Sequence, residues 1–262
     1  MSVSAEHSGL TDCHAHLCAA AFSRDLDDVL TRACDAGVEA VVAVGETLAD
    51  AERNLELAER YPGVVRPTAG LYPTHLDLAE AERVADLIRR ERSRLAAIGE
   101  VGLDRWKVRE ESDLELQREI FALFIDLSIE LDLPLNVHSR SAGHYAIDLL
   151  RDRGANRVQL HAFDGRAARA EPAVEAGYFF SVPPSVVRSP QKQKLVRRLP
   201  LSCLLLETDS PVLGPERDRR NEPANALVSL RAIAEIKGMD EQGVAAAVRV
   251  NTTRLYGRKA PS

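Results

Sequence analysis

Six side chains of metal-binding type recur in a pattern that could do chemistry. His14 and His16 fall in the run Asp12-Cys13-His14-Ala15-His16. If that run is extended, alternate side chains share a face. His14 and His16 then point together with Asp12 beside them, and Cys13 and Ala15 point the other way. Glu100 lies in Gly99-Glu100-Val101-Gly102-Leu103-Asp104, and His138 in Asn136-Val137-His138-Ser139-Arg140. His161 lies in Leu160-His161-Ala162-Phe163-Asp164, and Asp209 in Glu207-Thr208-Asp209-Ser210-Pro211. Imidazole and carboxylate together suit zinc, manganese, cobalt, nickel, or magnesium with water, and not a sulfur site. His14, His16, Glu100, His138, His161 and Asp209 are more ligands than one tetrahedral metal needs. Two adjacent divalent cations sharing a carboxylate would use them all. Of the other histidines, His7 reads as solvated and His144 as a surface residue at a helix start. His75 stays open between site and surface. Cys13 reads as a small buried hydrophobe.

Such groups need a frame, and the chain alternates strand and helix patterns throughout. Strands are expected at 10–16, 38–44, 64–71, 95–101, 135–138, 157–161, 178–182 and 203–208. Helices are expected at 26–36, 49–60, 79–93, 113–131, 143–153, 167–176, 191–199 and 224–237, with a closing helix at 241–256. Ser23 is expected to cap the first helix, with Asp25 in its first turn. In the fourth, Leu116, Ile120, Leu123, Leu127 and Leu131 recur at helical spacing. Eight such units in 262 residues fit a single (β/α)8 TIM barrel better than a doubly wound sheet. Barrel active sites lie at the carboxyl ends of the strands, where all six ligand candidates fall. The barrel is expected over 10–257, with a disordered tail at 1–9 and a further tail at 258–262.

Composition narrows the function. With 45% hydrophobic and 28% charged residues, collagen, coiled coil and wholesale disorder are excluded. A net charge of −6 excludes a broadly basic surface that coats nucleic acid, although bound metal can add local positive charge. The four cysteines, Cys13, Cys18, Cys34 and Cys203, show no C-x-x-C spacing and read as reduced thiols. No apolar stretch approaches the roughly 20 residues of a membrane span, so no membrane association is expected. A cytoplasmic monomer is the expectation, with no protein partner implied, and a chain this small could enter the nucleus unaided. No phosphate-binding or dinucleotide glycine pattern occurs. Trp106 could stack on a base or pack under a loop, and packing is expected. The pairs Arg197-Arg198 and Arg219-Arg220 read as solvated charges.

Taken together, D-x-H-x-H at 12–16, A-I-G-E-V-G-L-D at 97–104, L-P-L-N-V-H-S-R at 133–140, L-H-A-F-D-G at 160–165, L-E-T-D-S-P at 206–211 and R-N-E-P at 220–223 resemble the TatD-type metal-dependent DNases. The resemblance runs from Thr11 to Tyr256. N-V-H-S-R-S-A-G, L-H-A-F-D-G-R and Q-K-Q-K-L-V narrow it to one branch of that family. It implies a barrel of the metal-dependent hydrolase type, acting on DNA with two divalent cations such as zinc, manganese or magnesium. Carried over by motif, His14, His16, Glu100 and Asp209 would hold one cation. Glu100, His138 and His161 would hold the other, with Glu100 as the bridge. The implied activity is 3′-exonuclease, with abasic-site cleavage in some members.

Within that implied site, Glu100 and Asp209 are the expected catalytic carboxylates, Asp209 orienting the attacking water or taking its proton. Arg140 could steady a phosphate oxygen through its planar fork. Asn221 and Glu222 are expected to orient ligands or line the mouth. The sequence departs from the family pattern after the third strand. Tyr72, in Gly70-Leu71-Tyr72-Pro73, stands where the family carries a histidine near the substrate phosphate. Phe124 stands where the family often has glutamine, on a helix away from the strand ends, so only packing should change. The alternative activity is that of an amidohydrolase-type barrel acting on an amide, lactone or ring C–N bond. Many such enzymes bridge their metals with a modified lysine, and no lysine lies on the fourth strand here.

Overall fold

A computed structural model describes residues 8–257. Residues 1–7 of the tail expected at 1–9, with His7, and the tail at 258–262 lie outside the described residues. Eight strands run β1 (Leu10–Ala15), β2 (Val38–Ala43), β3 (Val65–Ala69), β4 (Ala97–Gly102), β5 (Leu135–His138), β6 (Val158–Leu160), β7 (Phe179–Val182) and β8 (Leu204–Leu206). They pair in parallel in sequence order. β1 and the segment after β8 meet through a bridge between Ala15 and Ser210, and the Asp209 amide donates to the His14 carbonyl at 2.8 Å. That closes the (β/α)8 barrel.

The helices are α1 (Leu26–Asp35), α2 (Leu48–Arg60), α3 (Leu78–Glu91), α4 (Glu111–Leu131), α5 (Gly143–Asp152), α6 (Glu171–Glu175), α7 (Pro190–Arg198), α8 (Ala226–Lys237) and α9 (Glu241–Tyr256). Thr47, Asp77, Ser189 and Asp240 each accept an amide hydrogen at a helix start, satisfying one otherwise orphaned donor. Ser23 does not cap α1. Its hydroxyl donates to the Ala20 carbonyl in a separate 3-10 turn, and Asp25 takes the cap position while pairing with Arg220. The helix expected at 167–176 breaks into a 3-10 turn at Ala167–Ala170 followed by α6. Pro172 explains the break: it has no amide hydrogen and is tolerated only in a helix's first turn. In α4 the buried face centres on Leu114, Ile120, Phe121, Phe124 and Ile125. Leu116, Leu123 and Leu131 of the expected stripe are only partly buried. Phe124 lies in the core, as its apolar type predicts.

Residues from β1, β2, β4, β7, β8 and α9 form one inner cluster: Cys13, Val42, Ala97, Phe179, Leu205, Leu255 and Tyr256. Only the barrel interior brings strands so far apart in order together. Cys13 is buried as expected but lies inside rather than on the outer face. The β1–β2 register is irregular between Asp12 and Ala15, which breaks the simple alternation. Above this plug lies a polar layer in which Gln159 bonds to Ser181 and the Cys13 carbonyl, and Tyr256 donates to Gln159. Among the described residues, no helix is long and apolar enough to cross a membrane.

Candidate metal centre

The carboxyl ends of β1, β4, β5, β6 and β8 bring His14, His16, Glu100, His138, His161 and Asp209 into one cluster. All are buried except His16, which is partly so. Glu100 is its hub. Glu100 Oε1 lies 2.8 Å from His138 Nδ1 and 2.9 Å from His161 Nε2. Glu100 Oε2 lies 3.4 Å from His16 Nε2 and 3.7 Å from His14 Nε2. Asp209 Oδ1 is 3.5 Å from the Nε2 atoms of both His14 and His16. Each oxygen of one carboxylate thus faces its own pair of histidines.

Ligand atoms of His14, Glu100 and His161 fall within 4.8 Å of one another, as do those of His14, His16 and Asp209. His14 belongs to both groups, and its ring stacks on His161 at 3.9 Å. His138 is outside both groups, clamped between Glu100 and Asp104 Oδ2, the latter 3.2 Å from its Nε2. His14 Nε2, Glu100 Oε2 and His161 Nδ1 are buried and make no hydrogen bond within the protein. Buried polar atoms are rarely left without partners; His14 Nε2 and Glu100 Oε2, 3.7 Å apart, fit a cation held between them, while His161 Nδ1 turns away toward Glu207, 4.0 Å off.

Charge agrees. Burial lowers His14 to about 3, helped by the neighbouring His161, so its imidazole is neutral and free to ligate. Burial alone would lower His16 as well, but the Asp209 hydrogen bond and the Glu100 charge push it up to about 9. Burial works against ionised Glu100, yet His161, His138 and His14 hold it well below the usual carboxylate range. Two carboxylates just beneath behave differently: burial pushes Asp12 up to about 8 and Glu207 up to about 7.

Supporting groups fix the rings. Asn136, two residues before His138 and so on its face of β5, places its Oδ1 2.8 Å from His14 Nδ1. Asp104 accepts from the amides of Trp106 and Lys107 while contacting His138. Gln117 of α4 accepts from the Asp104 amide and donates to the Pro73 carbonyl, tying the loops after β4 and β3 together. Asp104, Asn136 and Gln117 were not among the expected site residues. For the first two a signal existed, since they stand in the strand-end runs that hold Glu100 and His138.

Over the cluster opens a cleft of about 450 Å³ whose walls include Tyr72, Arg140, Asp164 and Lys192. Tyr72 sits edge-on to His138, ring centres 4.9 Å apart. Lys192, on α7, is partly buried, its ammonium donating to the Ala162 carbonyl at 2.8 Å; desolvation lowers its basicity. Its place at the mouth had no sequence signal beyond the family resemblance. Asn221 braces the mouth from below, donating to the carbonyls of Thr208 and Val212 at 2.7 Å each. Glu222 does neither of the things expected of it. It turns away to Arg32, 2.7 Å distant, in a separate surface ion-pair cluster. Trp106, expected to pack, is 54% exposed beside Arg140. His144 is half-buried, its ring tilted 3.8 Å from that of Tyr145, and His75 does not line the cleft.

A parallel barrel with imidazoles and carboxylates gathered at its carboxyl rim defines the class of metallohydrolase barrels. Within that class, the chain belongs to the TatD related DNase family, whose pattern matches residues 11–257. It is 47% identical over 260 residues to deoxyribonuclease TATDN3 of Homo sapiens, covering 95% of this chain and 94% of that one. It is 32% identical over 258 residues to the 3'-5' ssDNA/RNA exonuclease TatD of Erwinia tasmaniensis, covering 94% of this chain and 98% of that protein. The crystal structure of YJJV, a TatD homolog from Escherichia coli, superposes with a TM-score of 0.87 at 28% identity, covering 95% of this chain and 98% of that one. The branch to which the motifs at 136–143, 160–166 and 191–196 point is the TatD DNase domain-containing protein 3 branch, in line with the human relative.

Proposed function

We propose that this chain is a divalent-metal-dependent deoxyribonuclease that hydrolyses DNA phosphodiester bonds from the 3′ end, and at abasic sites. One observation carries the reading: Glu100 turns one oxygen to His138 and His161 and the other to His14 and His16, with that second oxygen and His14 Nε2 both buried and unbonded. His14, His16, Glu100 and Asp209 would hold one cation, and Glu100, His138 and His161 the other. Zinc, manganese and magnesium all suit these donors. Bound there, divalent cations neutralise phosphate charge and acidify water.

The chain's own groups do the rest. Asp209, the carboxylate of the cluster nearest the mouth, accepts the proton of the attacking water. Arg140 presents its fork to a non-bridging phosphate oxygen, and Lys192 adds a second positive charge across the cleft. Tyr72 supplies a hydroxyl beside His138 where the family pattern has imidazole. Burial, with Glu100 and Asp104 nearby, raises that hydroxyl well above the usual phenol range, so it acts as a neutral hydrogen-bond partner. The amidohydrolase alternative gains nothing from the geometry: the group between the histidine pairs is a carboxylate, and Lys192 bonds to a backbone carbonyl. Incubation with a 3′-labelled DNA oligonucleotide beside small amides and lactones, with and without chelator, tests the reading. Metal-dependent release of nucleotides alone is expected, and turnover of amides alone would contradict it.

Two further outcomes follow from the layout. His138→Ala and His161→Ala should each lower metal content by about one ion per chain by elemental analysis, with the circular dichroism spectrum kept. The core that folds the barrel lies below the site; unchanged metal in both variants would remove the two-cation assignment. Substrate affinity should also depend strongly on salt, yet through few phosphate contacts. Among the described residues, Arg140 and Lys192 are the cations lining the mouth, and Arg105 and Lys107 stand on the loop beside it. Four neutralised phosphates on a single strand give a slope of log affinity on log salt no steeper than about −3. A slope implying six or more contacts would reveal a basic face elsewhere.

A further inference from the structure

Beside the cleft the loop after β4 carries Arg105, Trp106 and Lys107, and it is fixed to the site by one carboxylate. Asp104 Oδ1 accepts from the Trp106 amide at 2.8 Å and the Lys107 amide at 2.7 Å, while its Oδ2 lies 3.2 Å from His138 Nε2. The Arg105 amide donates to the Arg140 carbonyl at 3.0 Å, joining this loop to the one after β5. On this framework stand two exposed aromatic rings, each with a guanidinium against it; Tyr145 is also flanked by the His144 ring, 3.8 Å away, which leaves Trp106 the more open. Arg140 lies over Trp106 at 5.2 Å, and Arg105 over Tyr145 at 3.9 Å. Trp106 remains 54% exposed and Tyr145 41% exposed. Among the described residues no ion pair engages Arg105, Lys107 or Arg140, so their charge is available to a phosphate backbone. Arg140 also lines the cleft, so a phosphate held at the cluster and a ring at the rim share one side chain.

We propose that Trp106 forms a base-stacking platform that receives an unpaired nucleotide of single-stranded DNA next to the scissile phosphate. This rests on the phosphodiesterase reading above and names the side chain that would hold one of the substrate's bases. A large aromatic face left in water costs hydrophobic free energy and gains it back on any flat partner. The cations around these rings select an anionic partner with flat faces, which is a nucleic-acid strand. Bases in a duplex have both faces covered by their neighbours, so the platform favours a single strand or a frayed end. Asp164 also stands on this side, its carboxylate accepting from the Ser141 amide at 2.9 Å, so the three cations of the two loops outnumber it there.

Trp106 is the chain's one tryptophan, so its fluorescence reports on the platform without regard to turnover. The metal-loaded full chain is titrated with a cleavage-resistant phosphorothioate oligothymidylate, and with an abasic strand of the same backbone and length. Saturable quenching by the thymine strand, with little quenching by the abasic strand, is expected. Equal quenching by both, or none by either, would overturn the platform. In parallel, kcat/KM for a single-stranded oligonucleotide is divided by that for bis(p-nitrophenyl) phosphate, an aryl diester with no base. That ratio should fall about 10-fold in Trp106→Ala and recover most of its value in Trp106→Phe, in line with the usual worth of one stacked base. A ratio unchanged in Trp106→Ala overturns the platform while leaving the nuclease reading standing. A wild type that cleaves neither diester removes the nuclease reading, and the fluorescence arm still decides whether the platform exists.

Discussion

Glu100→Gln should abolish DNA cleavage, with kcat falling at least about 10²-fold, the scale of losing a principal transition-state stabiliser. The side chain keeps its shape but loses its charge. Glu100 Oε1 lies within 2.9 Å of two histidine nitrogens and Oε2 within 3.7 Å of two more. An amide offers one good acceptor and an NH2 that faces a cation badly. It also removes the negative charge that lets two like-charged ions sit close together. Metal content should drop by about one ion per chain, and the circular dichroism spectrum should stay native-like, because the change sits at the polar mouth rather than in the core. His144→Ala, outside the cluster, should cost far less. Cleavage by Glu100→Gln within a few-fold of wild type would show that Glu100 does not join the two halves of the site.

Gly102→Ala should damage both stability and activity. Gly102, the last residue of β4, has φ +144°, a conformation that side-chain-bearing residues rarely adopt. A Cβ there would stand 2.0 Å from the His138 carbonyl oxygen, in a strand that cannot swing aside. Backbone strain and overpacking together predict a loss of about 2–5 kcal/mol. For a chain of this size that is a fall in Tm of roughly 5–15 °C, readable by thermal denaturation. Relief of the clash moves His138, so metal content should fall with stability. A Tm within about 2 °C of wild type would show that β4 and β5 separate more easily than their pairing suggests.

The barrel was legible because each strand is a short β-branched or apolar run and each helix has a marked start or stop. What escaped depended on contacts that a linear pattern does not carry. Ser23 has the right chemistry for a cap, but the chain makes a 3-10 turn before reaching α1. β8 ends at Leu206 rather than at 208, because the Thr208 amide bonds to the Asp12 carboxylate instead of continuing the ladder. All six ligand candidates could be read from their places at strand ends, and the structure gathers them. Asn136 and Asp104 stood in the same runs and could have been read as neighbours. Lys192 could not, since only the packing of α7 brings a helix residue over the cleft. Trp106 was misjudged because a lone aromatic between charged residues has no period to reveal which way it faces. Asn221 and Glu222 are adjacent, yet one is buried under the mouth and the other turns outward to Arg32, a division only the loop's path determines.

The central claim is that two divalent cations, held on either side of Glu100, make this barrel a DNase. The most direct test adds zinc, manganese or magnesium in measured equivalents to chelator-stripped protein and follows cleavage of a 3′-labelled single-stranded DNA oligonucleotide. Bound metal is counted by elemental analysis at each point. Cleavage should stay near baseline through the first equivalent, rise steeply with the second and level off at two ions per chain. A plateau at one equivalent, or cleavage that persists in the stripped protein, would contradict the account.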